Sequence, residues 1–113
     1  MRPLPVLLAL VGAIGLAACF PPRGNVEPPA ADAAITAAAL KRFPGTTAEQ
    51  VALGRTVMVG NCKACHGLPA IASEPAEEWE QEILPEMAAK AKLSETDKAA
   101  LVRFVLGARD TVK

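Results

Sequence analysis

The sequence predicts an all-α fold, because its apolar residues recur at intervals of three and four and no segment reads as a credible strand. Helix-capping patterns also precede two of these periodic segments. Prolines and glycines separate the segments, as expected where helices end and turns begin. We therefore expect one small domain built from three to four helices.

The first well-defined helix is expected over residues 46–61. Thr46 precedes Glu49 by three residues, and Thr47 precedes Gln50 by the same interval, so either threonine can open a capping box. The apolar face of this helix consists of Val51, Leu53, Gly54, Val57 and Met58.

Two further helices are expected downstream and one weak helix upstream. Pro75 opens a helix over residues 73–84, which Pro85 ends or kinks because proline lacks the backbone N–H. Ser94 caps the last helix. The apolar face of that helix consists of Leu101, Phe104, Val105 and Ala108. Residues 30–43 are rich in alanine and predict a weak helix, to which the sequence assigns no role.

The N-terminus is typical of an exported protein. Residues 1–18 read as a secretory signal peptide, with one arginine near the start and then an apolar run too short to span a membrane. The cut site, Leu16-Ala17-Ala18-Cys19, resembles the lipobox of bacterial lipoproteins. This resemblance implies acyl chains on Cys19, which would form a stable membrane anchor.

The mature chain then divides into a linker and a domain. Proline-rich residues 19–45 predict an extended, lipid-anchored linker with a possible short helix, and residues 46–113 form the domain. Phe20 stands where bacterial lipoproteins retained in the inner membrane carry aspartate, so the resemblance favours the outer membrane. We therefore expect a periplasmic protein attached to a membrane by lipid.

The most informative motif is Cys62-Lys63-Ala64-Cys65-His66, a C-x-x-C-H pentapeptide typical of c-type haem attachment. Cys62 and Cys65 lie about one helical turn apart, so both sulfurs can form thioethers along one haem edge. His66 follows on tethered backbone, so its imidazole can reach the iron as the proximal ligand. A zinc site would need four ligands and a thioredoxin-like dithiol would follow a strand, and the sequence provides neither. One covalent haem c is therefore the predicted cofactor.

Over roughly residues 46–109 the chain resembles the small monohaem cytochromes c of bacteria. The matching residues are Gly54-Arg55, the C-x-x-C-H pentapeptide, Trp79, Met87 and Phe104. The resemblance implies a cytochrome c-like domain whose helices surround the haem. It also implies that the first and last helices cross closely where Gly54 meets Phe104, because glycine lets two backbones approach.

The same resemblance implies two residues around the haem. Trp79 occupies the position that packs beside the macrocycle, with plain core packing as the alternative interpretation. A proline carbonyl shortly after the motif accepts a hydrogen bond from the second ring nitrogen of His66, and Pro69 is the nearest match, with Pro75 as the fallback.

The second axial ligand is chosen from few residues. His66 is the only histidine, so the remaining candidates are a methionine, a lysine or an open position. Met58 lies on the helix that enters the motif from the proximal side, so it is poorly placed to reach the opposite face. Met87 is therefore the predicted ligand, and a core methionine is the alternative interpretation of this residue.

A haem iron with both axial positions filled has no vacant site for a small-molecule substrate, so the sequence predicts a one-electron carrier rather than an enzyme. The alternatives are a haem sensor or peroxidase-like enzyme with a labile distal ligand, and an electron-transfer subunit of a larger oxidoreductase. Twelve basic against twelve acidic residues give no indication of nucleic-acid binding. The expected partners are redox proteins of the periplasm or membrane. Glutamates over residues 74–86 read as a solvated helix face or as a docking surface for a basic partner.

Overall fold

The computed structural model describes residues 26–62 and 67–112, and within these residues every regular element is a helix. The all-α prediction is therefore confirmed. The α-helices are α1 (Ala33–Arg42), α2 (Ala48–Val57), α3 (Ala76–Glu78), α4 (Leu84–Lys90) and α5 (Glu95–Thr111). Two π-helical turns, Met58–Cys62 and Trp79–Ile83, and a 3₁₀ turn, Ile71–Ser73, complete the described elements.

The first predicted helix forms α2, and its cap is the second of the two threonines. The Thr47 hydroxyl accepts a hydrogen bond from the backbone N–H of Gln50 at 3.1 Å. Thr46 is buried instead, and its hydroxyl donates to the carbonyl of Phe43 at 2.6 Å. Because the N-cap is Thr47 and not Thr46, α2 begins one residue later than it would with Thr46 as its cap.

α5 contacts both α1 and α2, and each of these two contacts passes over a glycine. A Cβ on Gly54 would lie 2.1 Å from the carbonyl oxygen of Ala100 and 2.6 Å from the Cβ of Phe104. A Cβ on Gly107 would lie 2.8 Å from the carbonyl oxygen of Ile35. The predicted close approach of Gly54 and Phe104 is confirmed, and glycine is required because no side chain fits between the two backbones.

The weak helix expected over residues 30–43 is α1, and it belongs to the core. Asp32 caps it by accepting from the backbone N–H of Ile35 at 2.9 Å, and Ile35 and Ala39 are buried. At its other end Arg42 donates twice to the carboxylate of Asp110 on α5, at 2.9 and 2.7 Å. The packed body therefore extends N-terminal of the expected domain start at residue 46.

The helix expected to end or kink at Pro85 continues through it to Lys90, so of the two alternatives the end is excluded. The π turn Trp79–Ile83 ends two residues before the proline, and its wider spacing is seen in the bond from the Leu84 N–H to the Trp79 carbonyl. Proline has no N–H to donate and its ring crowds the carbonyl four residues earlier. A π turn shifts the hydrogen-bond register at that point, so the helical backbone can continue.

Candidate haem site

The attachment motif begins where α2 and its π turn end. Cys62 is the last residue of the π turn Met58–Cys62, so the capped helix carries the chain directly into the motif. Cys65 and His66 lie outside the described residues, as do Cys19 and the predicted signal peptide. The description resumes at Gly67, immediately after the motif.

The chain leaving the motif enters the core at once. Leu68 is 2 % exposed, and its carbonyl oxygen accepts a hydrogen bond from the backbone N–H of Val26 at 3.0 Å. Pro69, the predicted acceptor for the proximal histidine, is half-buried. The carbonyl of the fallback residue, Pro75, accepts from the backbone N–H of Trp79 at 3.2 Å. The carbonyl of Pro75 therefore serves the first turn of α3, and the choice of Pro69 as the acceptor for His66 stays a prediction.

Trp79 is fully buried, and its indole N–H has a protein acceptor. Nε1 donates to the carbonyl oxygen of Ile71 at 2.8 Å, which joins the helical run to the 3₁₀ turn Ile71–Ser73. A buried indole donor needs such a partner. The structure therefore gives Trp79 a core role in which its N–H is engaged by the backbone.

The two mature methionines differ in their surroundings. Met58 is 1 % exposed and belongs to the core, immediately before the motif. Met87 on α4 is half-buried and packs against the edge of the core, as does Ile83 one turn earlier. Met58 and Met87 thus differ in burial, and the choice of Met87 as the iron ligand stays a prediction.

The acidic stretch that contains these helices has perturbed carboxyl groups. Repulsion from Glu82, followed by a hydrogen bond from its side chain, raises the pKa of Glu78 above its ordinary value. A hydrogen bond from Lys90, at 2.8 Å, and the charge of that lysine lower the pKa of Glu86. All of these side chains lie on the outer surface of the run from residue 76 to residue 90, so they set its surface charge rather than its packing.

A contact that the sequence did not predict lies beside the motif. The guanidinium group of Arg55 donates from Nε to the carbonyl of Pro29 at 2.8 Å and from a terminal nitrogen to the carbonyl of Pro28 at 3.1 Å. The same group lies 3.3 Å from the carboxylate of Glu27. The proline-rich composition predicted an extended linker here. The sequence carries no signal for the contact of residues 27–29 with the domain, because that contact depends on where α2 places Arg55.

The sequence offers donor types that a haem c would need, namely two cysteines, a histidine and a methionine, and of these Cys65 and His66 lie outside the described residues. Among residues 26–62 and 67–112 no three His, Cys, Asp or Glu side chains gather into a separate metal site.

The described helices include none with the length and apolarity to cross a bilayer. Comparisons with protein families, with curated proteins and with solved structures find no match for this chain.

Proposed function

We propose that this chain is an exported cytochrome that carries single electrons on one covalent haem c and is held to a membrane by lipid on Cys19. The observation that carries the proposal is the C-x-x-C-H motif at the end of α2, a capped helix that crosses α5 over a glycine. Cys62 and Cys65 would hold the haem, and His66 and Met87 would supply the axial ligands.

Each residue has a separate task in this proposal. The two thioethers fix the macrocycle beside α2, and the buried Leu68 and Trp79 exclude water from the region that follows the motif. Pro69 supplies the carbonyl that orients the imidazole of His66. The haem itself, when bound, takes up and releases one electron at its iron without any bond to a substrate.

Half-burial of Met87 supports its assignment to the iron. A methionine at the edge of the core can turn its sulfur toward the haem while α4 stays packed, whereas Met58 would have to leave the core. With both axial positions filled, no small molecule reaches the iron, which favours a carrier over a sensor or peroxidase-like enzyme.

The absorption spectrum of the oxidised protein tests the ligand set. We expect a weak sulfur-to-iron band in the far red that is lost in Met87→Ala and kept in Met58→Ala. Met58→Ala is the matched control because it removes the same side chain from the core. High-spin iron that binds carbon monoxide readily in the unaltered protein would reject the carrier and favour the enzyme.

The anchor is tested separately. Mass spectrometry of the mature N-terminus should find acyl groups on Cys19, and fractionation should recover the protein with the outer membrane. A free amine on an unmodified Cys19 would reject the lipid anchor but leave the electron-transfer proposal intact.

A further inference from the structure

The segment just before α1 is docked on the domain rather than free. We define the strap as residues 26–29. The backbone N–H of Val26 donates to the carbonyl of Leu68, and Arg55 on α2 donates to the carbonyls of Pro28 and Pro29. The side chain of Arg55 also pairs with Glu27, at 3.3 Å. Both ends of the strap are therefore bonded to the domain.

The strap also lies against the chain that leaves the haem motif. Strap residues, residues 69–72 and the C-terminal end of α5 line one pocket of about 200 Å³. Pro28 is buried in this arrangement, whereas Val26 is 46 % exposed. The strap thus meets the domain beside residues 68–72, which follow the motif in the chain.

Docking shortens the tether between lipid and domain. If the strap were free, residues 19–31 would separate the lipidated residue from Asp32, the cap of α1, a reach of about 45 Å when fully extended. With the strap docked, only residues 19–25 remain, and their reach is at most about 25 Å. The tether then joins the domain at Val26, whose backbone N–H is bonded to the carbonyl of Leu68, two residues after the motif.

We infer that the strap, latched by Arg55, holds the haem-attachment side of the domain close to the bilayer, so that the electron partner is a protein embedded in or lying on the same membrane. This inference rests on the proposed lipid anchor and haem. Arg55 is a positioning residue, because the contacts that its guanidinium group makes among the described residues are to the strap.

Arg55→Gln tests the latch, and Arg109→Gln is its matched control. The guanidinium group of Arg109 also donates to a loop carbonyl, that of Glu74 at 2.7 Å, but it does not hold the strap. The rate of hydrogen exchange at the Val26 amide in the full mature chain measures whether the strap is docked, because this N–H bonds to Leu68 only in the docked arrangement. We expect exchange to accelerate about ten- to a hundredfold in Arg55→Gln, since several hydrogen bonds are lost, and to stay unchanged in Arg109→Gln.

Neutron reflectometry of the lipidated protein on a supported bilayer measures the distance between the lipid headgroups and the protein. The gap between headgroups and protein should widen by up to about 19 Å in Arg55→Gln, because residues 26–31 then add about 3.1 Å each as an extended proline-rich chain. Val26→Pro removes the other strap bond and should widen the gap in the same way, which covers the case in which Arg55→Gln fails to fold.

Two results would overturn the inference: unchanged Val26 exchange in Arg55→Gln, or an unchanged gap in both strap variants. The exchange measurement needs neither haem nor lipid. Failure of the proposed function would instead be seen as a missing haem spectrum or missing acyl groups, so the two failures are distinguishable.

Discussion

Gly54 is the point at which the helix before the haem motif meets the last helix, and Gly54→Ala should separate them. The new Cβ would lie 2.1 Å from the carbonyl oxygen of Ala100 and 2.6 Å from the Cβ of Phe104, where ordinary contacts begin at 3.4 Å. Both atoms are fixed to the backbone of α5, so relief requires one helix to move by more than an ångström. No side-chain rotation can provide that movement.

The size of the effect follows from two opposing contributions. Overpacking of this kind costs about 3 kcal/mol, the upper part of the usual range, because backbone atoms must shift. Replacing glycine by alanine inside a helix returns about 1 kcal/mol. The free energy of unfolding should therefore fall by about 2 kcal/mol, which lowers the melting temperature of a domain this size by roughly 8–16 °C.

Thermal unfolding followed by circular dichroism measures this change. Gly60→Ala is the control, since a Cβ there meets nothing within 4 Å; it gains helix propensity of up to about 1 kcal/mol without any clash and should melt at, or up to about 8 °C above, the temperature of the unaltered protein. Gly107→Ala, whose nearest contact would be 2.8 Å, should fall between the two. If Gly54→Ala melted together with Gly60→Ala, the close crossing of α2 and α5 would be refuted.

Three further perturbations test the packing and charge around the proposed site. Trp79→Phe removes the indole N–H and part of a fully buried ring and leaves the Ile71 carbonyl without its donor, so the free energy of unfolding in urea should fall by about 1–3 kcal/mol from the lost hydrogen bond and further from the cavity; an unchanged midpoint would contradict the buried hydrogen bond. Met58→Ala should cost about 2–5 kcal/mol in the same assay, because its side chain is fully enclosed, and a loss below about 1 kcal/mol would contradict that enclosure. Glu82→Gln should lower the pKa of Glu78 in an NMR carboxyl titration, since repulsion from Glu82 is the main cause of its raised pKa. Because the pKa of Glu78 is raised in the folded chain, the folded chain binds this proton more readily than the unfolded chain does. The repulsion between Glu78 and Glu82 therefore destabilises the fold at high pH and is lost as the pH falls through the folded pKa. An unchanged pKa of Glu78 in Glu82→Gln would reject the pairing.

Much of the fold could be predicted because local chemistry specifies it. Thr47 and Ser94 accept hydrogen bonds from the backbone N–H groups three residues later, as capping residues do at any helix start. The glycine at position 54 and the phenylalanine at 104 meet because a helix crossing needs one position without a side chain. These features depend on neighbours in sequence or on a single steric requirement.

The remaining features depend on tertiary placement. α1 is composed mainly of alanine and shows a weak periodic pattern, yet it is held in the core by Gly107 and by the pair of hydrogen bonds from Arg42 to Asp110. Pro85 predicted a helix end or kink, and the π turn that lets the helix continue leaves no mark in the sequence. Long-range contacts of this kind override local propensity.

The candidate site divides in the same way. The motif itself is evident from the spacing of Cys62, Cys65 and His66, which is chemistry read directly from sequence. The choice of Met87 over Met58 is argued from helix direction and stays a prediction, although the two side chains differ in burial. The strap escaped prediction because Arg55 reaches carbonyl groups far from it along the chain.

The most direct test of the central claim is the intact mass of the purified chain after complete denaturation. We predict that one haem remains on the polypeptide, and that digestion assigns it to the peptide containing Cys62 and Cys65. A denatured chain that carries no haem and has two free thiols at these positions, after expression with haem-attachment machinery, would contradict the account.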